Sequence, residues 1–268
     1  MIINPFIYSS APSTDPDADA FILAAGITNA TQMSAIDTLV TDLKGYSIWS
    51  KMKAIYPFVG GTATSHKFNL KTPLDTDAAF RLSFIGGLTH DSNGVQGNGT
   101  NGYYDTFLKL TDFPILSSAS GVYIRTNIAE TTIDYGTLAD GGAGYSYLVS
   151  RTTGNETTFR YQQTLSSYGN IANTDSRGFH QLTRRDASNI IYSKNIVKST
   201  VAIAAASSLP SSPIYGMAAW YESGAIPYLY SSRQSAFNYY ADSSLSDTEL
   251  DNLNTAVQAF QTTLSRNV

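Results

Sequence analysis

Cysteine is absent from this chain of 268 residues, so disulfides and thiolate metal sites are excluded and stability must come from packing. Histidine is almost as scarce: His66, His90 and His180 are the whole stock. With so few bases and no Gly-x-Ser-x-Gly elbow, a nucleophilic triad has little to draw on. The histidines lie about 24 and 90 residues apart, whereas zinc ligands cluster at short spacings, which argues against zinc. No phosphate-cradling loop occurs either; GGTATSHKF is too short, and its glycines are expected to turn the chain into a strand. Charge is low, at 14% Asp, Glu, Lys and Arg, with a formal net of −4 and 17 scattered basic residues. Without a basic stripe there is no footprint for nucleic acid. No apolar run approaches the roughly 18 residues of a membrane span, and MIINPFIYSS lacks the basic and apolar regions of a secretory signal. No membrane insertion is therefore expected, and the protein should be soluble, released by lysis or assembled inside a cell.

What is abundant is Tyr, Phe, Thr, Ser, Gly and Asn, a mixture that fits pleated surfaces better than helix bundles. Phe80, Leu82 and Phe84 alternate with Arg81, Ser83 and Ile85, which predicts a strand with three apolar groups facing a core. The polar tract Thr89 to Asn101 predicts a long surface loop. From Val122 onward GVYIRTN, TIDYGTL, YSYLVSR, TTFRYQQ, FHQLTR and NIIYSKN predict successive short strands, with glycine or Asp/Asn turns between them.

Helix signals are confined to the two ends. Asp15-Pro16 starts a short helix that stops at Gly26. Asn29 with Gln32 predicts a capping box for a second helix carrying Met33, Ile36, Val40 and Leu43 and ending at Gly45. That stripe either packs on its own domain, the first reading, or pairs with copies of itself in an oligomer. Leu245, Ser246, Glu249 and Leu250 supply staple and capping box for a final helix, whose stripe is Leu250, Leu253, Val257, Phe260 and Leu264.

Candidate ligand contacts fall in two clusters. Asp91, Asn101, Tyr103, Tyr104 and Asp105 lie in and just after the polar tract, and Trp220 and Tyr221 lie in a later block. Aromatic faces suit the C–H faces of sugars, while Asp and Asn hydrogen-bond hydroxyls. Residues 1 to 14 carry Ile2, Ile3, Phe6, Ile7 and Tyr8 without a period, which suggests an attachment arm needing cover.

Several stretches resemble a known family. MKAIYPFVGGTATSHKFNL, TPLDTDAAFRLSFIGG, NGTNGYYDTFL, YSKNIVKST, PIYGMAAWYESGAIPYLYSSRQSAFNYY and SLSDTELDNLNTAVQAFQTTLSRNV are similar to the concanavalin A-like (laminin G-like) jelly-roll modules of bacteriophage virion structural proteins, over about residues 28 to 268. Two positions depart from the pattern: Ile196 replaces a hairpin glycine, and Ser265 stands where related helices read AVQAFQTTLGR.

The resemblance implies a mainly β, concanavalin A-like jelly-roll β-sandwich of two antiparallel sheets, with an N-terminal helical segment and a C-terminal amphipathic helix. Residues 1–27 would form an arm and short helix for virion or oligomer attachment, and 28–268 the jelly roll with its flanking helices. The implied role is a fibre, tail or capsid-decoration subunit, made in the host cytoplasm and carried on the phage particle, with a lectin-like surface for host glycans. Other virion proteins and a homotrimer are the implied partners. A stand-alone carbohydrate-binding module is the alternative, and a polysaccharide hydrolase the remoter one. Glu130, Glu156 and Glu222 are the only glutamates before the last helix, and none sits in the E-x-D-x-x-E strand motif of laminarinase-like jelly rolls, so no enzyme is expected. No cofactor is implied; a structural Ca²⁺ is compatible with the loop acids but not indicated.

Overall fold

The computed structural model describes residues 15–138, 144–163, 168–209 and 211–268. Helix α1 (Pro16–Ala25) begins where the Asp15 carboxylate accepts from the Asp17 N–H. Pro16 follows it, in the first turn, where a missing N–H is harmless. The helix ends at Gly26 (φ 65°), with Gly26 N–H donating to Leu23 and Ile27 N–H to Ile22, a Schellman stop. Helix α2 (Ala30–Gly45) is capped by Asn29, but the expected reciprocal bond is replaced: the Gln32 side-chain oxygen accepts from the Gly60 N–H at 3.1 Å, tying the helix to the next loop. Gly45 is not the stop. It is the last helical residue, and the left-handed position belongs to Ser47 (φ 59°).

Next come β1 (Met52–Tyr56), the one-turn α3 (Ala63–His66), β2 (Ser83–Ile85), β3 (Thr89–Asp91), β4 (Gly94–Gln96) and β5 (Tyr103–Lys109). They are followed by β6 (Ser118–Ile124), β7 (Tyr135–Leu138), β8 (Tyr145–Val149), β9 (Glu156–Gln163), β10 (Gly169–Ala172) and β11 (Gly178–Arg184). The rest are β12 (Asn189–Lys194), β13 (Val197–Ala202), β14 (Pro213–Gly216), β15 (Ala219–Tyr221), β16 (Ile226–Tyr228), β17 (Gln234–Ala241) and α4 (Asp247–Thr263).

Three local expectations change. Thr62 and Ser65 cap each other reciprocally, so GGTATSHKF leads into α3 and not into a strand. Phe80 sits in a left-handed conformation (φ 58°) after a short 3₁₀ turn, which delays the strand to Ser83; Leu82 is buried, and Phe80 and Phe84 pack half-buried against the same core. The Thr89 to Asn101 tract is no single loop, because β3 and β4 form a hairpin that docks on β17. Its glycines permit that docking: a Cβ on Gly94 or Gly97 would lie 2.1 or 1.9 Å from the carbonyl oxygens of Ser235 or Ser231. In the β12–β13 turn, the positive φ falls on Asn195 (54°) and not on Ile196. Asn tolerates that region, so no glycine is needed there.

The strands form two sheets packed as a sandwich. One runs β13-β12-β11-β6-β17-β4-β3, with β1 also on β17; the other runs β10-β9-β8-β7-β14-β5-β2, with the β15–β16 hairpin attached to β7. Pairing is antiparallel except β15 on β7. Between the sheets lie Tyr56, Leu82, Tyr104, Val122, Tyr135 and Tyr240, among others. On the far side of the first sheet Tyr123, Phe179, Phe237 and Tyr239 meet α1, α2 and α4. Strands β6, β11 and β17 are thus buried on both faces along their whole length, which is why they show no apolar/polar alternation. The layers run helices, sheet, sheet. Residues 15–27 share the helical core through Ala18, Phe21, Ile22 and Ala25, whereas Ile2, Ile3, Phe6, Ile7 and Tyr8 lie outside the described residues.

Helix α4 carries the reciprocal Ser246–Glu249 cap, and Leu245 and Leu250 are both buried. Leu253, Val257 and Phe260 lie in the helical core, Phe260 edge-on to Phe237 at 6.3 Å. The α2 stripe packs in the same core, on its own domain. A second Schellman stop closes α4, with Ser265 N–H donating to Thr262 and Arg266 N–H to Gln261. Ser265 holds the left-handed position (φ 54°), a conformation costing an L-residue about 1 kcal/mol relative to glycine. Ser265→Gly should therefore raise stability by about 1 kcal/mol or somewhat less, because glycine also gains entropy when unfolded. Urea unfolding followed by tyrosine and tryptophan fluorescence reads this directly; an unchanged or lower midpoint contradicts it.

Candidate functional site

Helices cover the far face of the first sheet, so the outer face of the second is the open one. Strand β5 shows how the sequence divides the two sides. Tyr103, Asp105 and Phe107 alternate outward, while Tyr104, Thr106 and Leu108 are buried. Tyr104, expected at a ligand, is a core residue: it is 0% exposed, packs edge-on to Phe58 and Phe84 at 5.9 and 6.0 Å, and lies over Gly216, where any Cβ would meet its ring at 1.9 Å.

The two candidate clusters meet on the outer face. Tyr103 packs on Tyr215 at 4.9 Å and on Tyr230 at 6.2 Å, and Tyr215 meets Trp220 edge-on at 5.7 Å. Asp105 is the cross-strand partner of Tyr215. Burial raises the pKa of Tyr103, Tyr215 and Asp105; the Phe107 N–H opposes the rise at Asp105. The phenols therefore remain hydrogen-bond donors at neutral pH. Tyr221 pairs instead with Tyr228 across the hairpin at 5.6 Å. Asp91 and Asn101 shape their own turns. The Asp91 carboxylate, on the first sheet, accepts from Asn93 N–H and Gln234 Nε2, and Asn101 Oδ1 accepts from Gly87 N–H and Asn98 Nδ2. Tyr215 and Tyr230 were not singled out from sequence. Tyr215 could have been found from the β14 pattern, because Ile214 and Gly216 face inward against the core and Tyr104.

Beside this platform lies a groove of about 270 Å³. Its floor is Tyr145, Tyr147 and Val149 of β8 with Thr158 and Arg160 of β9, and Thr131, Ile133 and Leu229 form a rim. A buried clamp holds the rim. Arg233 donates to Asp134 at 3.0 Å and to the carbonyl oxygens of Ile128, Glu130 and Arg151, and the other Asp134 oxygen accepts from Ser150 N–H at 2.6 Å. Glu130 belongs to the clamp as well. Burial alone would raise its pKa, but hydrogen bonds from the Ser232 side chain and backbone and the Arg233 charge hold it below the ordinary glutamate value.

Two histidines that sequence separation kept apart are joined: His66 and His90 approach Nδ1 to Nδ1 at 3.0 Å. They are a pair only; no group of three or more His, Asp or Glu suited to a metal ion occurs among the described residues. His180 is enclosed between Tyr192 Oη and the Ser176 carbonyl, at 2.8 and 2.9 Å from its two ring nitrogens. Burial pushes both His66 and His180 down to about 3. Folded, they stay neutral, whereas unfolded they take up protons below about 6.5. Their contribution to stability is complete above that pH and falls toward pH 3, by up to about 1.4 kcal/mol per pH unit for each histidine. Urea midpoints should accordingly drop between pH 6.5 and 4.5, above the main carboxylate range. A flat profile across that window contradicts the assignment.

No helix among the described residues is long and apolar enough to cross a membrane. The architecture defines a class, the mainly-β sandwich of two antiparallel sheets. Among solved structures it is similar to the binding domain of botulinum neurotoxin DC in complex with rat synaptotagmin II, with a TM-score of 0.54 at 13% identity, covering 79% of this chain and 52% of that one. The same toxin domain in complex with SialylT gives 0.52 at 12%, covering 78% and 52%. Trypanosoma rangeli sialidase in complex with sialic acid gives 0.54 at 10%, covering 83% and 38%. At such identities the likeness concerns the fold, and the chain spans about half the length of the toxin domains it matches. No protein-family model and no curated protein matches the sequence.

Proposed function

We propose that the protein is a non-catalytic, lectin-like adhesion module that holds a glycan on the outer face of its second sheet. The observation that carries this is the aromatic platform on the open sheet face, where the part-exposed Tyr103 and Trp220 rest on the buried Tyr215, with Asp105 beside it. Aromatic faces there can pack on the C–H faces of a sugar ring, and a carboxylate can accept from its hydroxyls. The names of two structural neighbours, a complex with SialylT and one with sialic acid, lend support to a saccharide ligand.

The concanavalin A-like assignment and the setting on a phage virion, as a fibre, tail or decoration subunit, rest on the sequence resemblance, above all SLSDTELDNLNTAVQAFQTTLSRNV. On that reading Ile2, Ile3, Phe6, Ile7 and Tyr8 meet another virion protein, and the subunits form trimers. Co-sedimentation with particles and mass measurement of the free protein test the setting, while release of reducing ends from capsule would favour a hydrolase instead. For the site itself, a Tyr103→Ala, Trp220→Ala double variant should bind glycan about tenfold or more weakly on an array and by calorimetry, at an unchanged fold. Equal binding by variant and wild type removes the platform from the site.

A further inference from the structure

The groove next to the platform has a chemistry of its own. Arg160 projects from β9 onto the open face, opposite Tyr147 of β8, with its guanidinium 5.0 Å from the centre of the Tyr145 ring. Its Nε and Nη1 are shielded from water and have no hydrogen-bond acceptor among the described residues. Shielded cationic donors without an acceptor are unfavourable, and such groups in a native fold point to a missing partner. The three fully buried arginines among the described residues are provided for. Arg184 donates to the carbonyl oxygens of Tyr161 and Ile203, Arg266 to those of Pro57, Phe58 and Ala236, and Arg233 to Asp134.

Among the described residues no Asp or Glu lines the groove, so no carboxylate there offsets the Arg160 charge; its polar neighbour is the Tyr147 side chain. The remaining lining suits a sugar ring: phenol rings of Tyr145 and Tyr147 for the C–H face, and Thr131 and Thr158 hydroxyls for its hydroxyl groups. At about 270 Å³ the groove lies near the lower end of small-ligand sites, about 300 Å³, which fits one terminal sugar residue better than the middle of a chain.

Resting on the saccharide reading above, we infer that the groove takes a terminal acidic sugar whose carboxylate pairs with the Arg160 guanidinium while its ring lies against Tyr145 and Tyr147. A planar guanidinium matches a carboxylate with two parallel hydrogen bonds, and such charge-assisted bonds are about twice as strong as neutral ones. A neutral sugar would meet the same donors without that gain.

The test is an array of bacterial surface polysaccharides, each spotted in native form and after chemical reduction of its carboxyl groups. It is probed with the full chain and with Arg160→Gln. Native acidic polysaccharides should bind, with carboxyl reduction and Arg160→Gln each lowering binding about tenfold or more, and binding should weaken in high salt. Urea midpoints check that Arg160→Gln is folded, and the carboxyl-reduction arm decides without any variant. Glycans held equally after reduction overturn the acidic-sugar inference and leave the saccharide reading standing. No glycan held by the wild type overturns both.

Discussion

Replacing Asp134 by alanine should lower stability by about 3 to 5 kcal/mol, the range for leaving one member of a buried ion pair without its partner. Both side chains are fully enclosed, with Arg233 Nη1 3.0 Å from the Asp134 carboxylate. The variant would strand the guanidinium and also free the Ser150 N–H. Two features place the effect toward the lower end. Glu130 lies 3.8 Å from the same guanidinium nitrogen, and the carbonyl oxygens of Ile128, Glu130 and Thr132 already accept from Arg233. Because the clamp sets the rim residues Thr131 and Ile133, glycan binding should weaken along with the urea midpoint. Asp134→Asn, which keeps an acceptor but not the charge, should fall between wild type and alanine. A loss below about 1 kcal/mol for Asp134→Ala would mean that the pair contributes little beyond what its backbone contacts already supply.

Arg266→Met should be comparably damaging, again about 3 to 5 kcal/mol, for a different reason. Among the described residues no carboxylate lies within ion-pair distance of Arg266; it is a cross-piece of donors. Its Nη2 reaches the Pro57 and Ala236 carbonyl oxygens, its Nη1 the Phe58 carbonyl and its Nε the Gln261 side chain, so a single side chain just past the end of α4 pins the chain after β1 to β17. Burial lowers its pKa to about 9, with the charge of Arg125 adding to the effect, yet it remains protonated at neutral pH. Methionine would restore much of the volume and none of the donors, leaving buried carbonyl groups unpaired. Chemical unfolding of a protein with intact far-ultraviolet circular dichroism measures the loss. A variant as stable as wild type would show that the carbonyl groups find other donors.

The parts of the fold that were legible in the sequence are those fixed by local chemistry. Ser246, Glu249, Leu245 and Leu250 announce α4 because capping and stapling act within one turn. Asp15, Pro16 and Gly26 do the same for α1. The two sheets follow from strand-length runs of aromatic and β-branched residues. Long-range packing hid the rest. The glycines of the polar tract look like loop residues, yet Gly94 and Gly97 are there because another strand's backbone comes too close for a Cβ. Tyr103 and Tyr104 are neighbours of the same type, and only the place of β5 in the second sheet, with one face toward the first sheet and the other open, decides that one is surface and the other core. Tyr215 joins the platform from a segment more than a hundred residues away, and Arg160 gains meaning only when Tyr145 and the rim are placed around it.

The pairing of β1 with β17 also bears on how the molecule comes to exist. Met52 faces Ala241 and Tyr56 faces Asn238, so an early strand waits for a partner that the ribosome delivers nearly two hundred codons later. Until then β6, destined to lie between β11 and β17, has one edge open, and apolar faces of all three are bare. Contacts so distant along the chain close slowly, and open strand edges invite wrong partners meanwhile. Biogenesis should therefore be largely post-translational, with the nascent polypeptide needing protection from its neighbours until β17 slots in and the sandwich shuts.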